Sequence, residues 1–211
     1  MRFMKARVVP YALRGRIEEE LERLVKEGVY VPVSHSNWAA PIVPVEKPDG
    51  GLRICGDYKL TVNPRAECDS YPVPKTEDLL ATLNGGKRFT KLDLRQAYMQ
   101  LAVDDVSQEY LTINTHKGLF RPTRLMFGVH LASGVFQREM EKRLAGIPHV
   151  VVRVDDILIT GVDDEDHLKN LKLVLERLEE CGLRLKRPKC SFLTLKLNGW
   201  GSKSLKMECQ Q

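Results

Sequence analysis

Apolar positions along the chain recur with two periods, and together they predict helices alternating with short strands. Ile17, Leu21, Leu24 and Val25 fall at i, i+4, i+7 and i+8 with charges on the other face, which predicts one amphipathic helix stopped by Gly28. Ile42–Val45 and Leu52–Cys55 are β-like runs on either side of Pro48-Asp49-Gly50-Gly51, a turn signal that predicts a hairpin. Residues 63–75 carry Pro64, Pro72 and Pro74 and read as a crossing segment; a helix over Lys75–Leu83 follows, ending before Gly85-Gly86. Phe89, Thr90, Leu92 and Leu94 predict a short strand that delivers Asp93 and turns through Arg95–Tyr98. Two further strand-like runs surround the His116–Gly118 turn, and Phe136, Met140 and Leu144 then lie four apart on one helical face. Val151, Val152 and Val154, then Ile157, Leu158 and Ile159, are two apolar runs around Asp155-Asp156, predicting a tight hairpin with both aspartates at its tip. Asp163-Asp164-Glu165 opens a last helix, whose Leu168, Leu171, Leu175 and Leu178 form a stripe predicted to be core. Gly182 ends it, and Leu183–Lys186 alternates as a strand.

Composition narrows the class without reaching a function. A chain of 211 residues accommodates one domain or two subdomains and can bury a sizeable core. A net charge of +5 with 29% charged residues suits an anionic partner. The cysteines at 55, 68, 181, 190 and 209 show neither C-x-x-C spacing nor an even disulfide framework. They read as reduced thiols of an intracellular protein, with cytoplasm and nucleus both open. No apolar run approaches the ~20 residues that span a bilayer, and the N-terminus lacks a signal-peptide core, so no membrane partner is expected.

The candidate chemistry lies in the aspartates. Burying an unpaired carboxylate costs several kcal/mol and two adjacent ones repel, so a buried Asp155-Asp156 pair points to a cation between them. Taken alone, the pair reads more readily as an ordinary solvated turn. Asp93, on its own strand upstream, changes that reading, because three carboxylates on two strand elements can hold a pair of Mg²⁺ ions in oxygen coordination.

The stretch LDLRQAY at 92–98, followed by VDDILIT at 154–160, resembles the polymerase motifs of reverse transcriptases. The sequence around both is similar to the polyproteins of gypsy-type long-terminal-repeat retrotransposons. The resemblance implies an α+β right-hand polymerase fold with an antiparallel palm sheet. The fingers would span about residues 1–73 and 103–130, the palm about 74–102 and 131–193. The stretch 194–211 is expected to be a degenerate or truncated tail, with Asn198-Gly199-Trp200 as a remnant of the primer grip and no thumb, RNase H or integrase domain. The implied activity is RNA-directed DNA polymerisation from an RNA or DNA template with a primer and deoxynucleoside triphosphates, using two Mg²⁺ ions, with Mn²⁺ as a substitute.

Residue by residue, the resemblance makes Asp93, Asp155 and Asp156 the metal carboxylates and Lys189 the proton donor to pyrophosphate. It makes Lys47 and Arg53 the triphosphate contacts, Tyr98 the gate against a ribose 2′-hydroxyl, and Phe127 and Gly128 the packing around the sugar and template; Asp57, Tyr58 and Asn63 match a stretch near the template. The chain also departs from the pattern. Met126 and Ser133 replace prolines, and His130 and Leu131 stand where small residues are usual, which frees the loop opening the next helix. Arg153 stands where a tyrosine is usual, and its guanidinium is expected to pair with Asp93 or Asp155, or to reach a primer phosphate. Two other classes remain: a catalytically decayed nucleic-acid-binding copy, and a phospho-acceptor unit, which would require alternating βα units that this sequence lacks.

Overall fold

The computed structural model describes residues 2–48, 50–66 and 71–195. Asp49 of the predicted turn, Cys68, Cys209 and the Asn198–Trp200 motif lie outside the described residues. Cys55, Cys181 and Cys190 are free thiols.

The chain forms two compact units, one of Met1–Ser70 with Tyr98–Ala132, the other of Tyr71–Ala97 with Ser133–Gln211. In the first unit, helix α1 (Tyr11–Lys26) buries Ile17, Leu21 and Leu24 as its periodicity predicts. Gly28 takes φ +70, the left-handed conformation that ends a helix without a Cβ clash. Strands β1 (Arg2–Phe3), β2 (Tyr30–Val33), β3 (Trp38–Glu46), β4 (Leu52–Gly56), β6 (Ile113–Thr115) and β7 (Gly118–Pro122) make a mixed sheet in the order β1-β3-β6-β7-β2, with β4 paired to β3. The α1 stripe joins Tyr30, Ile42, Ile54, Tyr58, Ile113, Phe120 and Met126 in one core. Met126, a departure from the proline of the family pattern, is 1% exposed and fills that core. The short helix α3 (Asp105–Tyr110) is capped by Asp104, whose side chain accepts from the Ser107 amide.

The second unit carries strands β5 (Phe89–Asp93), β8 (Val150–Arg153), β9 (Asp156–Ile159) and β10 (Ser191–Thr194) in the antiparallel order β10-β5-β9-β8, with helices α2 (Thr76–Thr82), α4 (Ala132–Arg143) and α5 (Asp164–Glu180). Period-2 alternation sorts β5 and β9 into two faces. Leu92 and Ile157 are partners in the ladder, and neither is exposed to solvent. On the opposite face, Phe89, Val151 and Leu158 pack with Leu79 and Leu83. Toward the end of that same face the polar residues Asp93, Asp156 and Arg153 take over.

Three sequence expectations shift. The hairpin tip is Val154-Asp155, and Asp156 is the first residue of β9, opposite Arg153. Leu183–Lys186 makes an isolated bridge, Leu94 with Leu185, rather than a strand: the Leu183 amide donates back to the Leu178 carbonyl, Lys186 donates to the Asp93 carbonyl, and Arg95 donates to that of Arg184. On α5 the buried residues are His167, Asn170, Val174 and Leu178, so of the predicted leucine stripe Leu178 alone is fully buried. The helix turns two polar side chains inward because both have partners there: the His167 ring bonds Thr90 Oγ1 at 2.8 Å and the Arg88 carbonyl at 3.0 Å, and Asn170 Nδ2 donates to the Thr160 carbonyl at 3.1 Å. Leu168 is left 51% exposed and Leu175 37%.

That rotation separates two leucines of the predicted stripe. Leu178→Ala, at a site 2% exposed, is expected to cost about 2–5 kcal/mol. Leu168→Ala should stay within about 0.5 kcal/mol, as at other surface sites. Urea unfolding of both variants measures the contrast; equal losses would restore the leucine stripe to the core.

Candidate active site

The β5–β9 ladder brings Asp93 and Asp156 together, with Asp155 in the adjoining turn. Asp93 ends β5 directly opposite Asp156, and Asp155 precedes Asp156 in the turn, where its carbonyl accepts from the Leu94 amide at 3.1 Å. Asp93 and Asp156 are half-buried at the polar end of one sheet face, and Asp155, in the turn, is half-buried with its Oδ1 turned away from solvent. Asp93 is further anchored through its backbone, since its amide donates to Cys190 Sγ at 3.4 Å.

Ammonium groups stand against two of these carboxylates. Lys91 Nζ lies 2.8 Å from Asp156 Oδ2, and Lys189 Nζ lies 3.8 Å from Asp93 Oδ2. Arg153 is the cross-strand ladder partner of Asp156. Among the described residues no group of three or more His, Cys, Asp or Glu side chains is arranged to hold a metal ion. What the sheet offers is an open, all-oxygen set of carboxylates. That donor chemistry fits Mg²⁺, which binds through one or two carboxylates and completes its octahedron with water and substrate phosphates.

The turn that presents Asp155 is strained. Val154 has φ +52, an outlier for a β-branched residue at the first position of a two-residue hairpin loop, where glycine is usual. Such conformations cost on the order of 1–3 kcal/mol and persist where the surroundings over-determine them. Here Gln137 of α4, fully buried, does so: its Oε1 accepts from the Val154 amide at 2.7 Å and its Nε2 donates to the Val152 carbonyl at 2.8 Å. The amide is in turn oriented by Glu141, whose Oε1 accepts from Gln137 Nε2 at 2.6 Å and whose Oε2 accepts from the Tyr71 hydroxyl. Sequence reasoning missed Gln137 and Glu141. The available signal was their spacing of four, a polar line on α4 beside the Phe136–Met140 face.

In the first unit, three of the five nucleotide-contact candidates are stacked. The Arg53 guanidinium lies over the Phe127 ring, 4.3 Å from its centroid, and Phe127 meets Tyr98 with centroids 5.0 Å apart at 55°. A guanidinium held flat on a ring keeps its N–H fork directed for a phosphate. Lys47 closes the β3–β4 turn, its amide donating to the Gly51 carbonyl at 2.8 Å. Gly128 has φ +100, and a Cβ there would run into the Gly56 carbonyl, so only glycine lets these backbones meet. Asn63 clamps the same loop: its Nδ2 donates to the Gly128 carbonyl at 3.0 Å, and its Oδ1 accepts from the His130 amide at 2.9 Å. Burial pushes the neighbouring Cys55 thiol up, with Arg53 partly offsetting it, which suits an inert thiol.

The family described as Reverse transcriptase (RNA-dependent DNA polymerase) matches residues 45–208. The chain is 38% identical over 192 residues to the Uncharacterized protein K02A2.6 of Caenorhabditis elegans, covering 90% of this chain and 15% of that protein. It is 30% identical over 202 residues to the Retrovirus-related Pol polyprotein from transposon 412 of Drosophila melanogaster, covering 92% and 16%. It thus spans about a sixth of the length of these relatives. Among solved structures, prototype foamy virus protease-reverse transcriptase matches with a TM-score of 0.86 and 26% identity, covering 95% of this chain and 27% of that one. The foamy viral enzyme in complex with an RNA/DNA hybrid matches with a TM-score of 0.83 and 25% identity, covering 92% and 26%.

Gln137→Leu keeps the volume of the side chain and removes both hydrogen bonds to the hairpin. Each backbone group left buried without a partner costs about 1–3 kcal/mol, so the variant should unfold at a lower urea concentration with an unchanged m-value. Unaltered stability would detach Gln137 from the turn.

Proposed function

Because the chain belongs to the reverse transcriptase (RNA-dependent DNA polymerase) family, we propose that it extends a primer 3′ end with deoxynucleotides on an RNA or DNA template. The observation that supports this reading is the β5–β9 register, which sets Asp93 directly opposite Asp156, the residue after Asp155. The chain is a retrotransposon-type reverse transcriptase domain, and polymerisation is the chemistry such a carboxylate set suits.

Asp93 and Asp155 would hold two divalent cations, Mg²⁺ or Mn²⁺, with Asp156 supporting. Those ions, when bound, activate the primer hydroxyl for in-line attack on the α-phosphate and neutralise charge on the triphosphate. Lys47 and Arg53 would hold the triphosphate, a point cation and a planar fork suited to its oxygens. Tyr98, braced by Phe127, would exclude a sugar bearing a 2′-hydroxyl. Lys189 would deliver a proton to the departing pyrophosphate. The first unit would thus act as fingers and the second as palm. Nucleic acid as partner is supported by the foamy viral enzyme, whose structure holds an RNA/DNA hybrid.

A second reading has one observation behind it: Arg153 stands opposite Asp156 where the family carries an uncharged aromatic ring. A copy decayed in catalysis would bind template and primer and not extend them. Primer extension on RNA and DNA templates, with Mg²⁺ and with chelator, separates the two. Extension that needs Mg²⁺ and is lost in Asp93→Asn is the expected result. Binding without extension, restored by Arg153→Tyr, would assign the decay to the arginine, and neither binding nor extension would sink both readings.

Sugar selection is tested separately. Tyr98→Val should raise ribonucleotide incorporation relative to deoxynucleotide, with a smaller effect on deoxynucleotide use alone. An unchanged ratio in an otherwise active variant would return Tyr98 to a packing role.

A further inference from the structure

Lys91 has no part in the chemistry described above, and its position is unusual for a lysine. It sits two residues before Asp93 on β5, so both side chains leave the same face of the sheet. Its ladder partner on β9 is Leu158, which is fully buried and belongs to the cluster of Leu79, Leu83, Phe89 and Val151. A lysine at the edge of an apolar cluster keeps its stem on that surface and sends its ammonium to the nearest polar exit. Here the exit is diagonal across the ladder, and Nζ reaches Asp156 Oδ2 at 2.8 Å, with side chains 21% and 24% exposed. That degree of burial distinguishes the pair from an ordinary surface contact, which water and salt would largely screen.

We propose that Lys91 is a positioning residue, a built-in counter-cation that engages the Asp156 carboxylate and leaves Asp93 and Asp155 as the divalent-ion ligands. This rests on the reading of the aspartates as a divalent-cation site and deepens it by dividing their labour. Asp156 faces Asp93 directly, and like charges directly opposite on a ladder are destabilising. The Lys91 ammonium offsets that repulsion within the sheet itself, before any ion arrives. It has two consequences for an incoming dication. Asp156 is engaged by a cation already in place, and the fixed positive charge beside the site opposes a second one. Lys189 near Asp93 acts in the same sense from the other strand edge, though with its side chain 58% exposed and a longer 3.8 Å approach it is the weaker contact.

The test is Mn²⁺ affinity of the whole purified chain without nucleotide, read by electron paramagnetic resonance of free Mn²⁺, with Asp93→Asn as the control for binding at this site. Lys91→Met should tighten Asp93-dependent binding on the order of tenfold, the effect of removing one charge close to a dication, and the gain should shrink at high salt. Lys91→Arg, which keeps the charge, should stay near the parent. Asp156→Asn alone should weaken binding, because it releases the Lys91 ammonium toward Asp93. The double variant Lys91→Met with Asp156→Asn should return to within about twofold of the parent, since both ligand carboxylates survive and one charge of each sign is removed together. A double variant as weak as Asp156→Asn alone would make Asp156 a metal ligand and overturn the proposal, and so would parental affinity in Lys91→Met. Lys91→Gln is read in parallel in case the methionine variant does not fold. Absence of Asp93-dependent binding in every variant would overturn the cation-site reading and this proposal together, whereas Mg²⁺-dependent extension with affinities insensitive to Lys91 would overturn this proposal alone.

Discussion

Two carboxylates set opposite each other on adjacent strands repel, and the second unit is organised around containing that repulsion. Like charges ~4 Å apart at a protein surface oppose each other by about 4 kcal/mol. Asp93 and Asp156 face each other across the same ladder in which Leu92 and Ile157 pair with no exposure at all, so the polar face must accept the register in which the apolar face is buried. The cations around the site follow from this. Lys91 lies against Asp156, Lys189 against Asp93, and Arg153 occupies the cross-strand position on β8.

A second tension is conformational. A two-residue loop must reverse the chain between β8 and β9, and the residue at its first position is valine at φ +52 rather than glycine. A helix-borne amide offsets the strain. Gln137 reaches both Val152 and Val154, so α4 holds the turn from behind, and Glu141 with Tyr71 fixes which way that amide faces. Charge repulsion and backbone strain thus fall within a few residues of each other, as expected where local structure answers to chemistry rather than to stability.

Much of this was legible in the sequence, and the limits have physical causes. Helix α1 and the β6–β7 hairpin follow from apolar period and turn chemistry, because each buries one face against its own unit. The α5 stripe was misplaced because periodicity counts leucines, whereas the helix turns inward the two polar side chains that find partners on the sheet. The hairpin tip was placed one residue late because two aspartates look like the natural turn, and nothing local reveals that a buried glutamine supports Val154 there instead. For the carboxylates, Asp93, Asp155 and Asp156 stood out by residue type. Lys91 could not, since its relation to Asp156 exists only once β5 and β9 are paired.

Register therefore links fold and chemistry more tightly than any single residue does. A one-residue slip of β5 against β9 would send Lys91 and Asp93 to the face opposite Asp156, ending the ion pair and the carboxylate cluster at once. Apolar contacts discriminate poorly against such a slip, because both strands carry apolar residues on both faces. Directional bonds discriminate well. Thr90 on β5 engages His167, whose other ring nitrogen engages the Arg88 carbonyl just before β5. Thr160, just after β9, donates to that same carbonyl at 2.6 Å, while its own carbonyl accepts from Asn170. These bonds tie the outer ends of β5 and β9 to one carbonyl and one helix, and a slipped ladder would leave several of them buried and unmade, at about 1–3 kcal/mol each. The buried polar residues of α5, which take the inward positions that Leu168 and Leu175 leave, are thereby the groups that pin the register of Asp93 against Asp156 from the far face of the sheet.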